Sequence, residues 1–339
     1  MKKRLFIFSN EGISSSGNRF FCDNIDLKST PEGLNKKFEV LLFGRKSNKK
    51  RTHEIKIKNI KIFSNIFSFI KEVISASKNK GAKFLIISIS PYTFTICLFL
   101  RLFGKIPIVY LRSDGYGEYK SIFGRIGYFI YHPMFEIVSL ISNLISCRKY
   151  ILKGKKGKII QPSQIDSIWL RKPKNLKIKK FKLLYVGRIR IEKGIFSLAN
   201  LIKNRKNISL DIVGAEKQTS YKINQSNIKI YPTESNKSKL IKYYDNNNIF
   251  VLPSFTEGHP MALLEALARK RPVVIFQDIQ HVIGEKKGIF VAKRNFLNFF
   301  SVLNHIKKNY KKIQKDIKEN KLPTNKEFVE KFIKAIDDY

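Results

Sequence analysis

Four charged side chains have the types and spacing to do chemistry. Glu257 and Glu265 flank a Gly258–Pro260 turn in the run VLPSFTEGHPMALLEALARKRPVVI, residues 251–275. Arg188 and Lys193 lie earlier, in GRIRIEKG, residues 187–194. Two cations on one loop suit a diphosphate, because they neutralise the charge that develops as a phosphate leaves. Gly187, at the head of that loop, lets the chain turn off a strand. Gly258 lets backbone approach a ligand, and Pro260 stiffens the start of a helix. That helix offers the free N–H groups of Met261, Ala262 and Leu263, where the helix dipole favours an anion. A carboxylate one turn on, Glu265, can bond both hydroxyls of a ribose, and Glu257 can bond hydroxyls of a sugar beyond the phosphates. The competing reading makes Glu257 a cap and Glu265 a solvated helix residue. Spacing alone leaves the two level.

The elements that must position these groups are short apolar strands alternating with helices. Strands are expected at 4–9, 38–43, 84–89, 106–111, 181–186, 208–213, 228–231, 249–252, 273–276 and 288–291. Helical spacing is expected over 60–77, 91–102, 195–203, 237–245, 296–319 and 325–336. This alternation implies parallel βαβ units and doubly wound sheets. Asn10–Asn18 reads as a Ser- and Gly-rich loop, with Gly12 and Gly17 free to take positive φ. Lys46–Arg51 reads as a solvated loop. Arg112-Ser113-Asp114 leaves a buried strand where ligand-facing groups lie in open α/β sheets, so Arg112 could bind an anion and Asp114 a hydroxyl. Equally, Asp114 could cap a helix. Residues 120–146 are strongly apolar with a basic rim, split by Pro133. They read as core helices or as a membrane-surface helix pair.

The chain has 339 residues, 43% of them hydrophobic, enough for two cored domains. The charged, Pro-containing stretch 171–180 is the expected boundary. The first domain would then be 1–172 and the second 173–318, with a helix in 323–339 packing back on the first. Three cysteines without metal-like spacing point to a reducing, cytoplasmic compartment. The apolar run Leu5–Phe8 is too short for a signal peptide and reads as a strand. The longest apolar region, 84–111, is cut by Pro91, Arg101, Lys105 and Pro107, so no membrane span is expected. Net charge is +40. A lysine-rich compositional bias explains it first, attraction to an anionic membrane second and nucleic acid last. No nucleic-acid partner is expected, since no basic block accompanies an RNA-binding signature or zinc knuckle.

LLYVGRIRIEKG and PSFTEGHPMALLEALARKRPVV together resemble the donor-binding half of family 4 glycosyltransferases of the GT-B fold. The resemblance covers residues 183–275. It implies two Rossmann-like domains facing each other across a cleft, the first holding an acceptor and the second a nucleotide diphosphate-sugar such as a UDP- or GDP-sugar. Carried over, Arg188 and Lys193 contact the diphosphate, Glu257 the donor sugar and Glu265 the ribose. Backbone at Met261–Leu263 holds phosphate, and the base sits near Tyr231 and Pro232. Gly12, Arg112 and Asp114 fall on the acceptor side. The implied reaction transfers a sugar with retention to a hydroxyl of a lipid-linked or polysaccharide acceptor, without metal or cofactor. Its setting is the cytoplasm, with a peripheral seat at the inner membrane face. The alternatives are epimerase or other GT-B chemistry, or, on charge alone, a basic nucleic-acid-binding protein. The sequence departs from the family pattern at four places. Lys270 replaces a glycine after the Glu265 helix. Phe276–His281 replaces a Gly-Gly loop, with Asp278, Gln280 or His281 as substitutes. Gly214-Ala215-Glu216 lacks a second glycine. Arg112-Ser113-Asp114 stands where many members have a His-Asp pair.

Overall fold

The computed structural model describes residues 2–171, 173–174, 177–215 and 223–339. The chain forms two compact units, Met1–Pro162 with Asn325–Tyr339, and Ser163–Thr324. In the first unit the order is β1 (Arg4–Ser16), β2 (Arg19–Cys22), α1 (Ile25–Leu34), β3 (Glu39–Lys46), β4 (His53–Ile55), β5 (Asn59–Phe63), α2 (Ile66–Ser77), β6 (Lys83–Ile87), α3 (Pro91–Leu102), β7 (Ile108–Leu111), α4 (Gly115–Phe123), α5 (Ile126–Ile141), β8 (Asn143–Ser146) and β9 (Lys158–Ile159). The second unit follows with α6 (Ser167–Leu170), β10 (Phe181–Val186), α7 (Ile195–Leu201), β11 (Ile208–Ala215), β12 (Ile228–Pro232), α8 (Lys237–Asn246), β13 (Ile249–Leu252), α9 (Met261–Ala268), β14 (Val273–Phe276), β15 (Ile289–Ala292), α10 (Phe296–Lys308) and α11 (Tyr310–Lys318). Helix α12 (Asn325–Asp337) returns to the first unit.

Each unit is doubly wound. In the first, the parallel strands run β5-β3-β1-β6-β7-β8-β9, and in the second β12-β11-β10-β13-β14-β15. Strand order therefore reverses beside β1/β6 and beside β10/β13. Those are the switch points, where crevices open at the carboxyl ends of the strands. β13 and β14 are buried along their whole length, as parallel strands covered on both faces must be. In the first unit Leu5, Ile7 and Leu42 face one helical layer, and Phe6, Phe8 and Phe43 face the other. α12 completes the first of these layers with Phe328, Val329, Phe332 and Ile336, and the Phe332 ring lies 4.8 Å from that of Tyr110.

Several local expectations need correction. Asn10–Ser16 is not a loop but the continuation of β1, which turns at Gly17 (φ 58°) into β2 and pairs with it antiparallel. Gly12 lies in this extended run and is not among the positive-φ residues. The helical reading of 60–77 holds only from Ile66. Ile60 and Ile62 alternate with lysine and phenylalanine in β5, and Asn65 caps α2 by accepting from Ser68 N at 2.8 Å. In the apolar stretch 120–146, Gly124 (φ 62°) makes the break, while Pro133 lies inside α5. Residues 143–146 are strand. The units divide at Pro162/Ser163, before the charged stretch 171–180. Ile165 and Trp169, 0% and 1% exposed, sink into the second core and carry the connecting run with them.

Lys270 adopts the left-handed conformation its family position favours for glycine (φ 55°). Its N–H bonds the Leu267 carbonyl and that of Arg271 bonds Ala266, both at 2.9 Å, which completes a Schellman cap. A lysine holds this backbone at a steric cost that glycine avoids. Lys270→Gly is therefore expected to stabilise the protein by about 1 kcal/mol, read as a rise in Tm of roughly 2–4 °C. An unchanged or lower Tm would contradict this account of the cap.

Candidate functional site

The β10/β13 switch point of the second unit gathers the charged residues singled out above. β10 ends at Val186, and the chain turns off at Gly187, whose N–H bonds Val213 O at 2.9 Å. Buried Tyr185 donates its hydroxyl to Arg188 O (2.8 Å) and so fixes the loop that carries the exposed Arg188 side chain. Burial, then the nearby Glu257 carboxylate, push the Tyr185 phenol well above its ordinary range, which keeps it a donor. The loop closes in a short 3-10 turn, Ile191–Lys193, and passes Gly194 (φ 65°). A Cβ at Gly194 would sit 1.9 Å from Pro253 O, so only glycine lets this loop lie against the one that leaves β13. Phe255 N bonds Glu192 O across the same seam at 3.0 Å.

This close approach brings Lys193 and Glu257 together. Lys193 Nζ donates to Glu257 Oε1 at 2.8 Å, and Ser254 Oγ donates to the same oxygen at 2.6 Å. The two side chains are 21% and 11% exposed, so water screens them only in part. His281 Nε2 lies 2.7 Å from the Glu257 carbonyl. Gly258 and Pro260 follow, and Pro260 is the N-cap of α9 without any side-chain cap bond. Met261, Ala262 and Leu263 form the first turn of α9, directly after the Glu257–Pro260 turn in the chain. Glu265, 9% exposed, accepts at Oε2 from Tyr244 Oη (2.8 Å). Burial, then Glu265, raise the Tyr244 phenol well above its ordinary range. This oriented carboxylate is neither a solvated helix residue nor a cap. Tyr231 and Pro232 end β12, and the Tyr231 ring packs on Tyr243 with centroids 5.0 Å apart.

Arg294 was not among the expected residues. Its guanidinium donates to the carbonyls of Pro253 (2.8 Å) and Ser254 (3.0 Å) and to Asp278 Oδ2 (2.8 Å), and it stacks over Phe255 and Phe276. It thus ties the loops after β13 and β14 together. No local motif marks it, because its partners are backbone carbonyls far away in sequence. Of the substitutes for the missing Gly-Gly loop, His281 reaches the Glu257 turn and Asp278 holds Arg294. Glu216 lies outside the described residues.

In the first unit Arg112 lies beside the chain neighbour of Gly12, and each expected residue has partners within the protein. Arg112 pairs with Glu11, which also accepts from Asn24 Nδ2 at 2.9 Å. Burial opposes the Arg112 charge, but Glu11 and Asp26 more than offset it and raise its pKa further. Its Nε and Nη1 find no hydrogen-bond partner among the described residues. Asp114 occupies the N-cap of α4 but makes no side-chain cap bond, and Lys153 Nζ lies 3.6 Å from its Oδ2. Gly12 leaves room for the Arg51 guanidinium, which pairs with Asp23. The thiols of Cys22, Cys97 and Cys147 are buried, which pushes each up to about 12, so they are structural and unreactive. A depression lined by Lys2, Lys3, Arg4, Glu39 and Lys80 lies at the opposite, amino-terminal edge of the first sheet, away from these residues.

Residues 166–322, nearly the whole second unit, match the family model of glycosyl transferases group 1. Protein CapJ of Staphylococcus aureus is 28% identical over 258 residues, covering 68% of this chain and 63% of its own length. The capsular polysaccharide biosynthesis glycosyltransferase CapM of the same organism is 29% identical over 175 residues, 46% of each chain. The chain therefore spans less than two thirds of the length of these relatives. Among solved structures, sucrose-phosphate synthase from Thermosynechococcus elongatus superposes with a TM-score of 0.71 at 15% identity, covering 99% of each chain. Anabaena HepE, in complex with UDP and glucose, gives 0.69 at 10% identity over 99% of this chain and 100% of its own. The fold is GT-B, built from two Rossmann-like units.

Proposed function

We propose that this protein transfers a sugar from a nucleotide diphosphate-sugar to a hydroxyl of a glycan or lipid-linked acceptor in cell-surface polysaccharide assembly. The observation that carries this reading is the Lys193–Glu257 pair, held across the switch point beside the N-terminus of α9, whose N-cap Pro260 makes no side-chain cap bond. Arg188, Lys193 and the amides of Met261–Leu263 hold the diphosphate and take up the charge of the leaving phosphate. Glu257, positioned by Lys193 and Ser254, bonds hydroxyls of the donor sugar. Glu265, oriented by Tyr244, bonds the ribose, and the base lies by Tyr231 and Pro232. No carboxylate here is assigned as a nucleophile. The reading is transfer with retention, the leaving phosphate assisting deprotonation of the acceptor, and charge neutralised by protein groups without a metal. Gly12, Arg112 and Asp114 belong to the acceptor side.

A relative named for capsular polysaccharide biosynthesis, and a neighbour solved with UDP and glucose, support the same direction. Thermal unfolding with UDP-, GDP- and ADP-sugars tests it. The right donor at a hundredfold excess over its Kd is expected to stabilise the protein by about 2.7 kcal/mol. Glu265→Ala is expected to remove most of that shift. No shift with any nucleotide sugar, together with an unaffected Glu265→Ala variant, would sink the proposal. A shift accompanied by epimerisation of the donor without acceptor would replace transfer by epimerase chemistry.

A further inference from the structure

Helix α5 is apolar on both faces. Gly127, Tyr131, Met134, Phe135 and Val138 are buried against the first unit. Ile126, Ile130, Pro133, Ile137 and Leu140 recur every three or four residues on the other side and are all exposed, Leu140 by 80%. A helix hydrophobic all round is normally enclosed, so a surface helix with this pattern lacks a partner. The stripe runs the full length of the helix, about 24 Å.

At its start the stripe broadens into a tip. From Lys120 to Ile130 every residue except Gly127 is exposed, including Ile122 (68%), Phe123 (51%) and Phe129 (73%). The tip is held rigidly. A Cβ at Gly127 would lie 2.1 Å from Tyr119 O, so α4 and α5 meet backbone to backbone, and Tyr116 and Tyr119 pack on Tyr131 behind them. Lys120 and Arg125 are the charged residues of this tip, and no acidic residue lies between them or on to Ile130. Glu136, further along α5, is engaged by Lys155 at 2.6 Å.

We infer that this face docks on a bilayer containing anionic lipid, the α4–α5 tip and the α5 stripe lying in the plane of the interface. Preformed aromatic and branched side chains enter the acyl boundary, and Lys120 and Arg125 meet the headgroups. A second copy is the weaker occupant. In a symmetric contact the cations of this rim would face each other, on chains that each carry +40. Such docking would keep the protein at the surface where a lipid-linked acceptor resides. Vesicle binding needs no nucleotide sugar, so its outcome is separate from that of donor binding.

Flotation of the full chain with vesicles of phosphatidylcholine alone, or mixed with phosphatidylglycerol, tests the inference. The parent is expected to float with the mixed vesicles and not with phosphatidylcholine alone. Phe123→Ser with Phe129→Ser, both at exposed positions, is expected to weaken partitioning at least about tenfold while Tm is unchanged. Lys120→Ser with Arg125→Ser is expected to weaken it about fivefold per cation. The inference is overturned if the parent stays unbound with anionic vesicles, or if the phenylalanine pair is dispensable for binding. It is equally overturned if the parent sediments as a dimer that the phenylalanine variant splits, with no vesicle binding.

Discussion

Replacing Lys193 with methionine is expected to lower affinity for the nucleotide diphosphate about a hundredfold or more. Two effects act in the same direction. On the proposed function the variant loses a charge-assisted bond to the diphosphate, and it leaves Glu257 facing that anion without the Lys193 cation. In the free protein Glu257 Oε1 is shared between Lys193 Nζ and Ser254 Oγ. Without the lysine, a carboxylate only 11% exposed lies beside an incoming phosphate. Truncating one partner of a largely desolvated charge pair costs about 2–5 kcal/mol, much of it from the stranded partner. On the same proposal the kcat of transfer is expected to fall as well, since the cation would face the charge of the leaving group. Titration calorimetry with the free nucleoside diphosphate isolates binding, and initial rates with the nucleotide sugar report the rest. A structural role alone would lower Tm and leave nucleotide affinity within twofold of the parent, and that outcome would remove Lys193 from the donor site.

This pair could be anticipated in part from the chain itself. Runs such as FKLLYV and VVIF leave little choice but buried parallel strands, and parallel order places the loops after 186 and 252 side by side. The contact between Gly194 and Pro253 O was not legible. Neither was Arg294, because a cation that binds distant carbonyls has no sequence signature. The same limit explains the errors in the first unit. The Ser-rich run 10–16 has too few apolar residues to announce a strand, and it becomes one because β2 and β3 supply the ladder. Ile60 and Ile62, two residues apart, follow a strand period that the helical spacing from Ile66 onward masks, and pairing with β3 makes them a strand. Lys270 shows the reverse case. A missing glycine reads as a lost helix stop, but Schellman geometry persists because Arg269 and Arg271 on either side are anchored.

That anchoring predicts a second large effect, on stability. Asp245→Ala is expected to destabilise the second unit by about 3–5 kcal/mol. Arg269 and Arg271 are 3% and 1% exposed, and Asp245 serves both. It accepts from Arg269 through Nε (3.0 Å) and Nη2 (2.6 Å), and from Arg271 Nη2 at 3.4 Å. Of the other donors, Arg271 Nη1 reaches Tyr310 Oη at 3.4 Å and the rest go to carbonyls. Arg269 Nη1 bonds Trp169 O (2.9 Å) and Arg171 O (2.7 Å), while Arg271 bonds Tyr244 O (2.8 Å) and Lys174 O (2.6 Å). Two buried guanidinium groups therefore clamp the run that leads into β10 onto the end of α9. Removing their shared carboxylate leaves two positive charges where water cannot solvate them. For a unit of this size the loss corresponds to a fall in Tm of roughly 10 °C. Adding Arg271→Met to Asp245→Ala is expected to recover part of it, because an apolar side chain of similar length removes one stranded charge. Thermal unfolding of parent, single and double variants measures both steps. A single variant that melts within a degree of the parent would mean the carbonyls alone satisfy the arginines. Recovery in the double variant would instead locate the cost in the stranded charge, since Arg271→Met also gives up the bonds to Tyr244 and Lys174.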